Sequence, residues 1–208
     1  LFFVSSQVVK GLYLGNIRDA EDREKLLRNG VTHILAVHDN AKPVLEGLTY
    51  LCISASDSSS QNLMQHFKEC IEFIHECRLR GGGCLVHCLA GVSRSTTVLV
   101  AYLMTVTELG WERCLAATKA TRSYVSPNFG FRRQLQQYEY RAWIRRDYGR
   151  NPFGDQEELQ RLLARQEERQ REQLGSREPS WIDAPAPAPA YPRPYGACGA
   201  GRSRWMSR

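Results

Sequence analysis

Cys88 and Arg94 bracket a short stretch, His87-Cys88-Leu89-Ala90-Gly91-Val92-Ser93-Arg94-Ser95, that carries the side chains needed to hold an oxyanion and attack it. A guanidinium takes two oxygens of a phosphate in one plane, which an ammonium cannot do. A cysteine beside that charge and among oriented backbone amides should have a lowered pKa and be a thiolate at neutral pH, the form that attacks phosphorus. Gly91 stands where a Cβ would obstruct a close backbone turn. Ser95 is placed to donate to the sulfur, and His87 to hold the loop through its ring nitrogens. A lone cysteine is more often a small buried hydrophobe. An arginine in a tight buried loop needs an anionic partner, however, so the joint pattern favours an anion-processing site over packing.

Such a stretch works only if its neighbours aim it. Leu85 and Val86 end an apolar run after Gly81-Gly82-Gly83, and Val98 to Leu103 form a second one, so the pattern predicts strand, tight loop, helix. A loop that opens a helix presents free amides and the positive end of the helix dipole, which makes it an anion cradle. Elsewhere, Val8 to Leu14 reads as a hairpin, and Asp19 as the cap of a helix from Ala20 to Arg28 stopped by Asn29-Gly30. Val31 to His38 and Tyr50 to Ser54 read as buried strands. Helices are expected over Asn62 to Arg80, Thr96 to Glu108 and Trp111 to Thr121. A further helix is expected after a Ser126 cap with Pro127 in its first position, running through Phe131, Leu135 and Tyr138 towards Trp143. The alternation gives an α/β fold, a central, mostly parallel twisted sheet flanked by helices. His33, His38, His66 and His75 read as structural residues.

In an open α/β sheet, ligands bind beyond the carboxyl ends of the strands. The polar loop Ser54-Ala55-Ser56-Asp57-Ser58-Ser59-Ser60 should therefore share a rim with the Cys88 loop. By spacing alone, Asp57 reads as a solvated or capping residue and Asn128 as a first-turn polar residue.

Gly11-Leu12-Tyr13-Leu14-Gly15-Asn16, Thr32-His33-Ile34-Leu35, His66-Phe67-Lys68-Glu69-Cys70 and Pro127-Asn128-Phe129-Gly130-Phe131 extend the match of the Cys88 loop. Over Gly11 to Arg150 the chain resembles the small atypical dual-specificity phosphatases of the cysteine-dependent protein tyrosine phosphatase superfamily. The resemblance implies hydrolysis of phosphotyrosine, and of phosphoserine and phosphothreonine, through a phosphocysteine on Cys88. It implies a general acid at Asp57, sulfur stabilisation by Ser95 and loop support from His87 and Asn128. Phosphate would be held by Arg94 and the amides of Leu89, Ala90, Gly91, Val92 and Ser93. Neither a metal nor an organic cofactor is implied. The implied partners are phosphoprotein substrates, with components of JNK and other MAP kinase pathways among them. Relatives often carry a proline just after the aspartate, and Ser58-Ser59-Ser60 has none, so a looser acid loop is expected. Relatives also begin Met-Gly-Asn and are candidates for N-myristoylation, whereas Leu1-Phe2-Phe3-Val4 offers no such glycine; no membrane anchor is expected from it.

Composition bounds the rest. The 208 residues give room for one domain and an extension. The expected division is a disordered start at 1–6, a catalytic domain at 7–150, a charged helical extension at 151–174 and a disordered Pro/Ala/Gly-rich tail at 175–208. A net charge of +6 suits anionic partners such as phosphoproteins. No basic stripe interleaved with stacking aromatics points to nucleic acid. No apolar run reaches membrane-spanning length. Seven cysteines without Cys-x-x-Cys pairs argue for reduced thiols in a protein of the cytoplasm or nucleus, and against a zinc site or disulfide framework; a monomer is expected. Cys84 and Cys88 lie on one side of an extended strand, so oxidation could join them. Two other functions fit the loop. One is a phosphate-binding scaffold without catalysis. The other is the same chemistry on a phosphoinositide or RNA 5′-phosphate, which would favour basic residues where Leu89, Ala90 and Val92 stand.

Overall fold

The computed structural model describes residues 6–138 and 142–175. Ser6, expected in a disordered start, instead opens the first strand, and residues 1–5 lie outside the described residues, as does the expected disordered tail after Gly175. Strands β1 (Ser6–Val9) and β2 (Leu12–Gly15) form the expected antiparallel hairpin, turning at Gly11, whose φ of 75° favours glycine. β3 (Val31–Val37), β4 (Thr49–Ile53) and β5 (Gly83–His87) complete a sheet of order β1-β2-β5-β3-β4 in which every pair but the first is parallel.

Period-two alternation sorts the strand side chains onto two faces. Leu12, Leu14, Leu35, Val37, Cys84 and Val86 enter the larger core, while Tyr13, Ile34 and Leu85 pack on the other face with Ala20 and Leu26. The smaller face is covered by α1 (Ile17–Glu21) and α2 (Arg23–Arg28), two helices where the sequence suggested one. Asn16 caps α1, its side chain accepting from the Asp19 amide at 3.0 Å while Asp19 reaches back to the Asn16 amide at 3.0 Å. Asp19 is therefore the buried third residue of a capping box, and Asp22 caps the second helix.

The larger face carries α3 (Phe67–Leu79), α4 (Arg94–Val106), α5 (Trp111–Thr121) and α6 (Phe129–Gln137). α3 begins later than expected, after one 3₁₀ turn (Met64–His66), because the Gln134 side chain takes the amides of Leu63 and Met64 at 2.8 and 2.9 Å. α4 is buried along almost its whole length, in keeping with its apolar residues all round. Asn128, rather than Ser126, caps α6, its side chain accepting from the Phe131 amide at 3.0 Å. α7 (Ala142–Tyr148) and α8 (Asp155–Gly175) follow. α8 docks through Asp155, Leu159 and Leu163, all buried, and is largely exposed beyond them. Among the described residues no helix is long and apolar enough to cross a membrane.

Candidate active site

Strand β5 delivers Cys88, and α4 begins at Arg94, so the intervening loop must reverse direction within a few residues. Gly91 has a φ of 68°, and a Cβ there would meet the carbonyl of Gly15 at 2.5 Å and the Arg122 guanidinium at 2.6 Å. The loop is shaped from outside, through its carbonyls. The Cys88 carbonyl is 3.1 Å from His87 Nδ1; a carbonyl can only accept, so this nitrogen carries the proton. The Leu89 carbonyl takes the Ile17 amide at 3.1 Å. Arg122 donates to Gly91 O at 3.2 Å and to Ala90 O at 3.5 Å. The Val92 carbonyl takes the Ser126 amide at 2.8 Å, and that of Ser93 takes the Thr97 amide and hydroxyl at 2.9 and 2.8 Å. A peptide plane whose oxygen faces outward turns its N–H inward. Six successive carbonyls held this way make the loop a cradle of converging donors.

The donors converge on sulfur. Cys88 Sγ, buried, accepts from the Gly91 amide at 3.2 Å and the Ser95 hydroxyl at 3.1 Å. Burial pushes the thiol pKa up, but hydrogen bonds from the Ser95 hydroxyl and from the amides of Ser95, Val92 and Gly91 outweigh it, leaving the pKa below the ordinary cysteine value. These donors, more than the arginine charge that the sequence suggested, account for the shift. His87 is held the other way: burial lowers its pKa to about 4, despite the opposing hydrogen bond to the Cys88 carbonyl, and it is neutral at pH 7.

Asp57 arrives on the loop after β4, its side chain 38% exposed. Its Oδ1 accepts from the Ser93 hydroxyl at 2.7 Å and the Asn128 side-chain amide at 2.8 Å, and Oδ2 lies 4.0 Å from Arg94 Nε. The Asn128 backbone amide in turn donates to Ser93 Oγ at 3.1 Å. Asn128 thus braces the carboxylate directly and the Cys88 loop through Ser93. These contacts tie the acid loop, which lacks the proline, to the Cys88 loop and to α6. Ser58 and Ser60 hydroxyls pair at 2.9 Å, and a Cβ on Gly130 would run into the Ser59 carbonyl, so α6 lies directly against the loop. Arg94, buried, donates from Nη1 to Asp39 Oδ2 at 2.8 Å and to the Ala55 carbonyl at 3.0 Å.

The structure thus brings together Cys88, Leu89, Ala90, Gly91, Val92, Ser93, Arg94, Ser95, His87, Asp57 and Asn128. Sequence reasoning did not single out Asp39 or Arg122, nor the contact of Ser93 with Asp57. His38, read as purely structural, lies with its ring 5.6 Å from that of His87 beside the site. Asp39 stands two residues beyond the end of β3, on the rim where ligands bind in such sheets, and that position was the available signal. Arg122, nearly thirty residues beyond the loop, gave none. The free thiol of Cys84 is fully buried, and burial, reinforced by the neighbouring Cys77 of α3, pushes its pKa up. Among the described residues, no group of three His, Cys, Asp or Glu side chains could hold a metal.

Residues 12–141 match the family model of the dual specificity phosphatase catalytic domain. The chain is 62% identical over 183 residues to dual specificity protein phosphatase 22-A of Danio rerio, covering 85% of this chain and 88% of that one. It is 58% identical over 165 residues to dual specificity protein phosphatase 22 of Homo sapiens, covering 76% and 90%. The crystal structure of DUSP15 superposes with a TM-score of 0.62 at 46% identity, covering 77% of this chain and 96% of that one.

Proposed function

Because the chain belongs to the dual-specificity phosphatases of the cysteine-dependent protein tyrosine phosphatase superfamily and is a protein phosphatase, we propose that Cys88, Arg94, Asp57 and Ser95 carry its reaction. The observation that carries this assignment is the convergence of the Ser95 hydroxyl and the loop amides on a buried Cys88 sulfur with a lowered pKa, flanked by Arg94 and the braced Asp57. The thiolate attacks phosphorus in line; the ester P–O bond breaks as Asp57 gives its proton to the leaving oxygen. Arg94 and the amides of Leu89, Ala90, Gly91, Val92, Ser93 and Arg94 hold the non-bridging oxygens, turning from sulfur to phosphate. Asp57, now a carboxylate, takes a proton from water as its oxygen attacks the phosphocysteine. Inorganic phosphate leaves, and the Ser95 hydroxyl supports the departing thiolate. The proton returns to its starting place, so the cycle needs no cofactor.

The substrates are phosphoproteins. Within that class we assign phosphotyrosine and phosphoserine or phosphothreonine sites in kinase signalling of the JNK and MAP kinase type, acted on by a monomer in the cytoplasm and nucleus, with a catalytic unit at 7–150. The test is phosphate release from a phosphotyrosine peptide and a doubly phosphorylated Thr/Tyr peptide. Cys88→Ser should abolish it, and Asp57→Ala should lower kcat by about 10²- to 10³-fold. Retained activity in Cys88→Ser would overturn the assignment.

A further inference from the structure

We propose that Asp39 is a positioning residue for phosphate, acting through the guanidinium of Arg94; this rests on the phosphate-binding role proposed for Arg94. A guanidinium presents five N–H groups in one plane, and a tetrahedral oxyanion meets two of them along one edge. Which edge faces the cradle depends on what holds the rest of the group. Nη1 of Arg94 has two hydrogens and two acceptors, Asp39 Oδ2 at 2.8 Å and the Ala55 carbonyl at 3.0 Å. Both are thereby spent, and rotation of the group is blocked. The Nε–H is buried and has no acceptor among the described residues. It lies on the free edge, with Nη2, as the donor that remains for an oxygen of the substrate.

Among the described residues no other carboxylate does this work. Asp57 Oδ2 stands 4.0 Å from Nε, beyond hydrogen-bond range, and its Oδ1 is taken by Ser93 and Asn128. Asp39 is itself held in place. It stands two residues beyond β3, its carbonyl accepts from the Ser54 hydroxyl at 3.1 Å, and the preceding His38 amide donates to Ile53 O at 3.2 Å. The two acceptors on Nη1 therefore come from the ends of adjacent parallel strands, β3 and β4, and register one against the other. The neighbouring His38 has its pKa lowered by burial and by the Arg94 charge, with Asp39 pulling the other way.

A carboxylate with a 55% exposed side chain at the lip of an anion site has an opposite possible effect, repulsion of the incoming phosphate. Orientation and repulsion differ in sign, which makes the experiment decisive. In a Cys88→Ser protein, which binds without turnover, the affinity for a phosphotyrosine peptide is measured by calorimetry. Asp39→Ala should weaken binding about tenfold, as expected for loss of a charge-assisted hydrogen bond. Asp39→Asn should stay within about threefold of the parent, because its amide oxygen still accepts from Nη1. In an Arg94→Lys background, where no planar fork remains to be oriented, Asp39→Ala should produce no further loss. Unchanged or tighter binding in Asp39→Ala, or equal losses with Arg94 and with Lys at that position, would overturn the proposal. Lack of hydrolysis by the protein carrying Cys88 would overturn the catalytic assignment instead, and is read in a separate assay.

Discussion

At the scale of single residues, the site is a balance between burial, which opposes charge, and donors, which favour it. For Cys88 the donors win, and the Ser95 hydroxyl is foremost among them. Ser95→Ala removes a cause that lowers the pKa, so the pKa must rise; the midpoint of the pH dependence of iodoacetamide alkylation should move to higher pH, and kcat should fall about tenfold. For His87 burial wins. Its folded pKa of about 4 lies below the unfolded value near 6.5, so the unfolded chain binds the extra proton first. The stability this residue permits is full above pH 6.5 and is lost as pH falls towards 4, by about 3 kcal/mol if the shift acts alone. Urea midpoints at pH 7 and pH 4.5 should differ less in His87→Gln than in the parent. Cys88 and Arg94 were legible in the sequence because their chemistry has few bland explanations when combined. Asp57 needed the family resemblance, since a lone aspartate in a serine-rich loop looks like any capping residue. Asp39 stayed silent because its meaning lies in a 2.8 Å contact with a residue from another strand's loop.

At the scale of elements, the positions of helices were readable from apolar spacing, and their first residues were not. Asp19 and Ser126 are plausible caps by type, yet Asn16 and Asn128 cap the helices. Two candidate caps a few residues apart differ only in which one's backbone leaves the helix, and neighbouring elements decide that. The difference matters here, because capping by Asn128 starts α6 where Gly130 can lie on Ser59 and where the Asn128 amide reaches Asp57. Arg122 is the corresponding case for the catalytic loop. It follows α5, is buried, and donates to the carbonyls of Ala90 and Gly91 while lying under the ring of Tyr124. Arg122→Met keeps the bulk but frees both carbonyls. It should lower kcat/KM by one to two orders of magnitude, with most of the loss in kcat, since a loosened cradle stabilises the transition state poorly. Equal kinetic constants for parent and variant would show that the loop holds its shape without it.

At the scale of the whole molecule, α8 is fastened by an ion pair inside the protein. Arg78 of α3 donates to both oxygens of Asp155 at 2.8 Å, and from Nη1 to the Tyr102 hydroxyl at 2.8 Å; the side chains of the pair are 1% and 0% exposed. The apolar face of α8 was visible in Leu159, Leu162 and Leu163. The pair was not, because an arginine near the end of a helix equally suits the negative end of the helix dipole. Removing one partner strands a buried charge, so Asp155→Ala should cost about 3–5 kcal/mol. That is a drop of about 10 °C in Tm for a chain of this size, while kcat at 25 °C should change little because none of these contacts reaches the loop. The six outward-held carbonyls carry a different consequence. Their partners are His87 and Thr97 nearby, but also Ile17, Arg122 and Ser126, drawn from opposite ends of the domain. The reactive loop is therefore shaped by residues on both sides of it in the chain, from Ile17 to Ser126. A chain cut before Ser126 would lack the donor that holds the Val92 carbonyl at 2.8 Å. Chemistry at Cys88 thus draws on segments made both well before and well after it in the chain.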